Sequence, residues 1–324
     1  MAKVVRFHER GGPEVLRLED ADVGDPGPGQ ARVRHRAIGV NFIDTYHRTG
    51  LYPLPLPSGL GQEAAGVVEA VGAGVAHVKA GDRVAYSNGP PGSYSEARLM
   101  PAERLVLIPE GVSDEQAAAV MLKGLTVQYL IRRTYAVKAG ETVLWHAAAG
   151  GVGLIACQWL RSLGVRVIGT AGSDEKAALA KAHGAAEVIV YTREDFPARV
   201  RALTGGEGVP VVYDSVGKST FAGSLDCLKP FGLMVSFGNA SGAVPPLELG
   251  VLAQKGSLFV TRPTLMTYAA KRADLEASAA ELFDVIRRGA VKVEIGGRYP
   301  LADAARAHRD LEARRTTGSL VLLP

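Results

Sequence analysis

A run of small residues in the middle of the chain is the first place where residue types and spacing indicate chemistry. Residues 142–146 are predicted to form a strand, which leads through the sequence AAAGGVG into a predicted helix. Ala148, Gly150 and Gly153 occupy the positions of the G-x-G-x-x-G dinucleotide fingerprint, with alanine replacing the first glycine. Gly150 would let a pyrophosphate approach the helix N-terminus, and Gly153 would let the helix pack closely on the strand. The alternative is an ordinary turn of small residues, but the flanking elements favour dinucleotide binding.

The next predicted strand, residues 165–169, indicates which dinucleotide is bound. NAD sites commonly place an acid near the end of this strand, where it binds the ribose 2′-hydroxyl. Here the strand ends in Gly-Thr-Ala-Gly, and Asp174 and Glu175 follow in positions that suit the first turn of a helix. Ser173 could be a helix N-cap or a phosphate ligand, and Lys176 could be solvated or could contact a 2′-phosphate. The missing acid favours the phosphate contact and therefore NADPH.

Strands and helices alternate from residue 142 onward. Strands are predicted at residues 142–146, 165–169, 188–191, 209–213, 233–237 and 258–261, and helices at 151–163, 175–183, 195–203 and 219–228. This alternation predicts a doubly wound parallel sheet of the Rossmann type. Two further helices, at residues 273–288 and 302–314, and a closing strand at 319–323 are predicted after Pro263.

The first hundred residues have a different texture. Short apolar runs at residues 4–7, 31–34, 64–71, 83–86 and 105–108 are broken by glycine and proline, which predicts a mostly β unit. Ser113 and Gln116 form a capping-box pattern and predict that a helix begins there.

Composition excludes several classes of protein. The 324 residues are 47% hydrophobic and 22% charged, with a net charge of +4, so disorder and a nucleic-acid-binding tail are not expected. Two cysteines, Cys157 and Cys227, exclude a disulfide scaffold and a cysteine-rich zinc cluster. There is no apolar run long enough for a signal peptide or a membrane span, so a soluble cytoplasmic protein is expected.

Six motifs together carry a family resemblance. They are NFIDTY at residues 41–46, GQEAAG at 61–66, KGLT at 123–126, AAAGGVG at 147–153, VYDSVG at 212–217 and VSFGNASG at 235–242. The chain resembles, over essentially its whole length, the NADPH:quinone oxidoreductases, the zeta-crystallin-like branch of the medium-chain dehydrogenase/reductase superfamily. The resemblance implies a GroES-like substrate and catalytic domain at residues 1–124, an NADP-binding Rossmann domain at 125–263 and a tail at 264–324 that returns to the first domain. It implies that NADPH binds in the cleft between the domains.

The resemblance also implies a role for individual residues. It places Asn41 and Tyr46 beside the nicotinamide and Thr126 near its ribose. It assigns the pyrophosphate to Gly150, Gly151 and Val152, and the 2′-phosphate to Ser173, Lys176 and Tyr191. The adenine and its ribose are assigned to Ser215, Phe237, Gly238 and Ser241. The nicotinamide end is assigned to Phe259, Val260 and Arg262, and the phosphates to Arg314. Four of these have structural alternatives. Tyr191 could end a buried strand, Phe259 could be sheet core, Arg262 could cap the domain crossing and Arg314 could be a solvated helix-end residue.

One departure from the wider superfamily argues against zinc. Zinc alcohol dehydrogenases have a ligand cysteine near the position of Asn41 and a histidine in a Gly-His-Glu motif, whereas this chain has Gln62 in Gly-Gln-Glu. His35 and His47 could ligate a metal in principle, but lone histidines are more often structural. No metal is expected.

The predicted chemistry is cofactor-driven hydride or electron transfer to a quinone, without an indispensable general acid. The candidate catalytic residues are Tyr46, Tyr52, Asn41 and Asp44. The tyrosines would contact the substrate, although Tyr52 could instead be structural, and Asp44 would orient neighbouring groups. One alternative is an NADPH-dependent reductase of α,β-unsaturated carbonyls. Another, from a different class, is a cofactor-binding protein with an RNA-binding or structural role, against which the even spread of charge argues.

The sixth predicted strand of the Rossmann sheet indicates a homodimer. In the usual order 3-2-1-4-5-6 it lies at the edge, and residues 257–261 contain no charge or proline. Pairing of this edge with its twin about a two-fold axis would join two six-stranded sheets into one. The alternative is that a loop or helix covers the edge.

Overall fold

The computed structural model describes all 324 residues, and they form two compact units. The first unit contains Met1–Leu125, Tyr268–Arg288 and Val293–Pro324, and the second contains Thr126–Thr267 and Gly289–Lys292. No helix among the described residues is long and apolar enough to cross a membrane.

The strands and helices have the following bounds. The strands are β1 (Ala2–Phe7), β2 (Arg17–Ala21), β3 (Gln30–Val40), β4 (Ser58–Gly59), β5 (Glu63–Val71), β6 (Arg83–Ser87), β7 (Ala97–Pro101), β8 (Val106–Leu107), β9 (Thr142–Trp145), β10 (Arg166–Ala171), β11 (Glu187–Val190), β12 (Val209–Asp214), β13 (Leu228–Ser236), β14 (Phe259–Thr261), β15 (Ile295–Pro300) and β16 (Ser319–Leu323). The helices are α1 (Phe42–Thr49), α2 (Asp114–Tyr129), α3 (Gly151–Ser162), α4 (Asp174–Ala182), α5 (Phe196–Leu203), α6 (Phe221–Asp226), α7 (Gly250–Gln254), α8 (Leu265–Tyr268), α9 (Arg272–Arg287) and α10 (Ala304–Glu312).

The second unit is built on a six-stranded parallel sheet. Its strand order is β11-β10-β9-β12-β13-β14, which is the predicted order 3-2-1-4-5-6 with β14 at an edge. Val143, Leu144 and Trp145 of the central strand β9 are fully buried, as expected for a strand that lies between two layers of helices. This confirms the predicted Rossmann fold.

The first unit is mostly β. One sheet has the order β15-β16-β3-β5-β6-β8, with β7 also paired to β3, and a smaller sheet has the order β2-β1-β4. Leu320, Val321 and Leu322 of β16 pair with the end of β3, so the last strand of the chain completes a sheet begun by the first forty residues. The fold agrees with the predicted GroES-like domain.

Two helix-end predictions are confirmed by their hydrogen bonds. The backbone N–H of Ser113 donates to Oε1 of Gln116 at 2.9 Å, and the N–H of Gln116 donates to Oγ of Ser113 at 3.1 Å, so the capping box forms at the start of α2. Gly164, just after α3, has a φ of +72°, the left-handed conformation that favours glycine.

Other element predictions were wrong. The helix expected at residues 219–228 is only α6, because Leu228 instead pairs with Val209 and begins β13. Helix α1 lies in the region predicted to be mostly β and was not predicted, although Asn41 and the left-handed Gly50 (φ +85°) mark its two ends. Strands β2, β4, β7 and β15 and helices α7 and α8 were also missed. The sequence of β2, RLEDA, is too polar to stand out, and pairing with β1 holds it in place.

Candidate functional site

Glu63 is the centre of a buried polar cluster in the first unit. Its side chain is fully buried, and Oε1 accepts hydrogen bonds from Nδ2 of Asn41 at 2.8 Å and Nζ of Lys123 at 3.0 Å. Oε2 accepts the backbone N–H of Leu122 at 2.5 Å. A buried carboxylate requires such partners, and because it can only accept, it fixes the amide NH₂ of Asn41 on its own side. The first residue of β5 therefore orients Asn41, the N-cap of α1.

Asp44 lies one turn into α1 and begins a chain of hydrogen bonds toward the C-terminal helix α10. Its Oδ2 accepts the O–H of Tyr94 at 2.9 Å, and the Tyr94 oxygen lies 3.0 Å from Nε2 of His308. Nδ1 of His308 accepts from Nη1 of Arg48 at 2.8 Å, and Nη2 of Arg48 donates to Oε1 of Glu312 at 2.6 Å. Since the arginine only donates, His308 must carry its proton on Nε2 and donate it to Tyr94.

Burial shifts the pKa values of Asp44 and His308, two members of this hydrogen-bonded chain, in opposite directions. Burial raises the pKa of Asp44 to about 7, although hydrogen bonds from the Asn41 N–H and from Tyr94 oppose the shift. Burial lowers the pKa of His308 to about 3, and the nearby charge of Arg48 adds to the shift. His308 is therefore neutral at physiological pH.

Tyr46 on α1 and Tyr52, just after the end of that helix, form an aromatic pair. Their ring centroids are 5.3 Å apart with an interplanar angle of 70°, and the Tyr52 N–H donates to the Tyr46 carbonyl at 3.0 Å. Nδ1 of His47 lies 3.1 Å from the Tyr52 carbonyl, and Nε2 of His47 lies 3.3 Å from Nε2 of Gln62. Burial lowers the pKa of His47. The structure thus brings together the residues of the predicted catalytic set and the Gly-Gln-Glu motif.

The two histidines considered as metal ligands have other partners. His35 is buried, with Nδ1 at 2.6 Å from the Ser95 carbonyl and Nε2 at 2.8 Å from the hydroxyl of Tyr86. Both ring nitrogens of His47 also have hydrogen-bond partners. No group of three or more His, Cys, Asp or Glu side chains is arranged to hold a metal ion. Zinc independence remains a prediction.

In the second unit, the glycine segment joins β9 to α3. Gly150 is the N-cap of α3, and Gly151 and Val152, both partly exposed, begin the helix, whose first turn carries no acidic residue. A Cβ on Gly153 would lie 2.4 Å from the carbonyl oxygen of Ala147. Glycine is therefore required at 153 for close packing. The N–H groups of Gly151 and Val152, at the partly exposed start of the helix, can bind an anion.

The turn after β10 carries the residues predicted to contact the 2′-phosphate. Oγ of Ser173 accepts the backbone N–H of Lys176 at 3.3 Å, so Ser173 is the N-cap of α4. Tyr191 follows β11 and is 42% exposed, which excludes the alternative that it ends a buried strand. A Cβ on Gly172 would lie 2.8 Å from the Tyr191 hydroxyl, so the ring of Tyr191 lies against the end of β10.

Two further turns approach each other after β12 and β13. Ser215 follows β12 and Phe237 follows β13. A Cβ on Gly238 would lie 2.4 Å from the Ser215 carbonyl oxygen, which explains the glycine. The N–H and Oγ of Ser241 both donate to the Val216 carbonyl at 2.8 Å. The backbone of the second turn is therefore fixed against the first.

The edge strand β14 presents exposed apolar residues. Phe259 is 60% exposed and Val260 is 37% exposed, so the alternative that Phe259 belongs to the sheet core is wrong. Nη1 of Arg262 donates to the Ser236 carbonyl at 2.9 Å. Val260 and Arg262 line a cavity of about 340 Å³ together with Asn239, large enough for part of a small ligand.

The remaining two predicted residues lie on helices or at their ends. Thr126 is partly buried on α2. Arg314 is exposed and lies beyond α10, with a φ of +56°. Helix α10 ends two residues before the predicted residue 314, because the chain takes the left-handed conformation at Arg314.

Most predicted cofactor residues of the second unit share one edge of the sheet. Gly150, Ser173, Ser215, Phe237 and Arg262 each follow a strand of the parallel sheet. Ligands of open parallel sheets bind at the carboxyl ends of the strands. The arrangement is therefore suited to an extended anionic ligand.

Comparison with known proteins identifies the family. The family model "Alcohol dehydrogenase GroES-like domain" matches residues 27–110, and "Zinc-binding dehydrogenase" matches residues 151–283. The quinone oxidoreductase of Pseudomonas aeruginosa is 61% identical, with 100% of both chains covered. The chain belongs to the quinone oxidoreductase family, within the medium-chain dehydrogenase/reductase superfamily.

Two further relatives are informative about the site. The crystal structure of Escherichia coli quinone oxidoreductase complexed with NADPH has a TM-score of 0.98 and 53% identity, covering 99% of this chain and 100% of that one. The 2-haloacrylate reductase of a Burkholderia species is 47% identical, covering 100% of this chain and 99% of that protein.

Sequence reasoning missed the residues that support the predicted ones. Glu63 and Lys123 lie in two of the quoted motifs, but the motifs alone did not indicate that the two residues form an ion pair or that Glu63 orients Asn41. Tyr94, Arg48 and His308 gave no signal, because the last is 260 positions from Arg48 in the chain. The Asn41–Asp44 spacing, typical of a helix start, was the available signal for the local geometry.

Proposed function

We propose that this protein reduces quinones with NADPH and needs no zinc to do so. The observation that carries the proposal is the 61% identity, over the full length of both chains, to a quinone oxidoreductase. The 0.98 TM-score to a quinone oxidoreductase complexed with NADPH supports the choice of cofactor. The exposed N-terminus of α3 and the absence of an acid at the end of β10 support it independently.

The residues that would hold NADPH are those at the carboxyl edge of the Rossmann sheet and a few from elsewhere in the chain. When bound, NADPH supplies a hydride from its nicotinamide ring. Gly151 and Val152 would bind the pyrophosphate through the first turn of α3. The other assignments are Ser173, Lys176 and Tyr191 for the 2′-phosphate, Ser215, Phe237, Gly238 and Ser241 for the adenosine, Thr126, Phe259, Val260 and Arg262 for the nicotinamide half, and Arg314 for the phosphates.

The first unit would orient the acceptor. Glu63 fixes the amide of Asn41, and the edge-to-face pair of Tyr46 and Tyr52 presents an aromatic surface with two hydroxyls. A quinone ring delocalises the charge that it receives and can take its protons from water, so these residues position the substrate and exclude water rather than supply an essential proton. Asp44 supports them from within α1.

The direct test is NADPH oxidation measured with parallel panels of quinones and α,β-unsaturated carbonyls. We expect turnover with quinones and a higher kcat/KM for them than for the conjugated carbonyls. NADPH oxidation with the conjugated carbonyls but with no quinone would overturn the proposal.

A second candidate function is the reduction of α,β-unsaturated carbonyls. The observation in its favour is the 47% identity, over the full chain, to a 2-haloacrylate reductase. Both substrate classes accept hydride at a conjugated system, so the same placement of cofactor and tyrosines would serve either. The two-panel assay separates the candidates.

We also propose a homodimer that forms through β14. This edge strand pairs on one side with β13, and Phe259 and Val260 expose apolar surface there. A bare, uncharged edge is a site for pairing with another strand. A two-fold axis beside β14 would pair the backbones of two such strands and extend the sheet.

A substitution that places a charged side chain on the edge strand β14 tests the dimer. A Leu258→Pro substitution, which removes a backbone donor on this strand, would not test the dimer. The Leu258 N–H already donates to the Leu252 carbonyl of the same chain at 3.1 Å. Phe259→Glu should yield monomers in sedimentation velocity at micromolar concentration. Leu107→Glu, on the exposed edge strand β8, is the control and should leave the dimer intact. A wild-type monomer under these conditions would defeat the proposal.

The location and the domain roles are proposals of the same kind. Cys157 and Cys227 are free and buried, in keeping with the reducing cytoplasm that we propose as the location. We propose that residues 1–124 orient the substrate, that 125–263 bind NADPH and that 264–324 return to the first domain. The presence of Tyr268–Arg288 and Val293–Pro324 in the first compact unit supports this division.

A further inference from the structure

Side chains join the turns that follow β10 and β11. The ring of Tyr191 lies against Gly172, and Oγ1 of Thr192 donates to the Gly172 carbonyl at 3.4 Å. The guanidinium of Arg193 donates two hydrogen bonds to the carboxylate of Asp174, at 2.6 and 2.5 Å. The fork-to-fork geometry aligns the two charged groups on one surface.

The pair changes the charge of the first turn of α4. That turn carries Asp174 and Glu175 as well as Lys176, so it would have a net charge of −1 without Arg193 and is neutral with it. Both members are exposed, at 57% and 71% of their side-chain surface. The hydrogen bonds from Arg193 lower the pKa of Asp174, so the carboxylate is ionised at neutral pH. Exposed ion pairs add little to folding stability, so the main effect of this pair is on the local charge.

We propose that Arg193 determines cofactor specificity by masking Asp174, whose free carboxylate would repel the 2′-phosphate of NADPH. The inference rests on the proposed function, which places that phosphate at Ser173, Lys176 and Tyr191, on the same two turns. A phosphate monoester carries nearly two negative charges at pH 7, whereas NADH has an uncharged hydroxyl at this position. Unmasking the carboxylate therefore weakens the binding of NADPH and leaves NADH unaffected.

The test is a double-mutant cycle in which the dissociation constants of NADPH and NADH are measured by titration calorimetry at low ionic strength. A unit charge about 6 Å from a doubly charged phosphate in water changes an equilibrium constant by about tenfold. Arg193→Ala should therefore raise the NADPH dissociation constant about tenfold and leave that of NADH within about twofold. Asp174→Asn should not weaken NADPH binding, and the Arg193→Ala/Asp174→Asn protein should return to within about threefold of wild type.

Arg199→Ala is the matched control. Arg199 is 49% exposed and pairs with Glu194 at 3.2 Å, so its removal should leave the ratio of the two dissociation constants unchanged. An equal loss of NADH and NADPH affinity in Arg193→Ala would overturn the inference, because it would indicate a structural role. A double variant as weak as Arg193→Ala would also overturn it, because Arg193 would then bind the phosphate directly. If wild type binds neither dinucleotide, the proposed function itself fails.

Discussion

Replacing Asp44 with asparagine should change how the stability of the protein depends on pH. Burial raises the pKa of Asp44 to about 7, whereas burial lowers the pKa values of His35 and His308 to about 3. In the unfolded chain these groups titrate near 3.9 and 6.5. The histidines therefore contribute stability above pH 6.5 that is lost as the pH falls toward 3. Asp44 contributes stability below pH 4 that is lost as the pH rises through 7.

The two effects partly cancel in the wild type. Between pH 7.5 and 4.5, His35 and His308 should each lower the free energy of unfolding by roughly 2–3 kcal/mol, and protonation of Asp44 should raise it by about 3 kcal/mol. The wild type should thus lose only about 2 kcal/mol from these three groups. In Asp44→Asn the amide oxygen can still accept from the Asn41 N–H and from Tyr94. The side chain no longer takes up a proton in acid, so the free energy of unfolding should fall by about 5 kcal/mol between pH 7.5 and 4.5.

The assay is urea unfolding at pH 7.5, 6.0 and 4.5, followed by far-ultraviolet circular dichroism. This signal reports on both units, whereas Trp145 and Trp159 both lie in the second. Asp44→Asn should be more stable than wild type at pH 7.5 and should have the steeper loss in acid. His308→Gln should make the loss of stability in acid smaller than in wild type. An Asp44→Asn protein with the same pH profile as wild type would refute the reasoning.

Three further predictions concern the proposed activity. Lys176→Ala should erase much of the preference for NADPH, since a charge-assisted hydrogen bond is worth about 1.5–3 kcal/mol, or roughly 10–150-fold in affinity; equal NADH and NADPH dissociation constants in the wild type would contradict this. Tyr46→Phe and Tyr52→Phe should each lower kcat moderately, whereas a complete loss with folding and NADPH affinity intact would indicate a true general acid. Dialysis against a strong chelator should leave turnover intact and elemental analysis should find no stoichiometric zinc; loss of activity that zinc alone restores would overturn metal independence.

The second unit was predictable because its signals are local. The run from β9 through Gly150 to α3 combines a buried strand, small residues and a mostly apolar helix within 21 residues. The strand order is the usual one of such folds. The capping box at Ser113 is equally local. Sequence reasoning therefore found this fold and the turns at its sheet edge.

The support of the candidate site was not predictable in the same way. The hydrogen bond from Arg48 to His308 joins residues 260 positions apart, and the bond from Lys123 to Glu63 spans 60 positions. No periodicity or motif specifies which distant polar side chains meet when a sheet closes. The open edge at β14 was correctly predicted, but the use of the Leu258 N–H within the chain depends on the short helix α7, which the sequence did not reveal.

The pairing of β16 with β3 sets an order for biosynthesis. The sheet of the first unit includes Val40 paired with Leu320, so the ribosome must make the whole Rossmann unit before that sheet can close. At about 5–20 residues per second, the intervening 280 or so residues take roughly 15–55 s. During that interval the Rossmann unit can fold, while the end of β3 has no partner on one side. Nascent chains arrested before residue 319 should therefore hold a folded second unit beside a first unit that proteases still cleave.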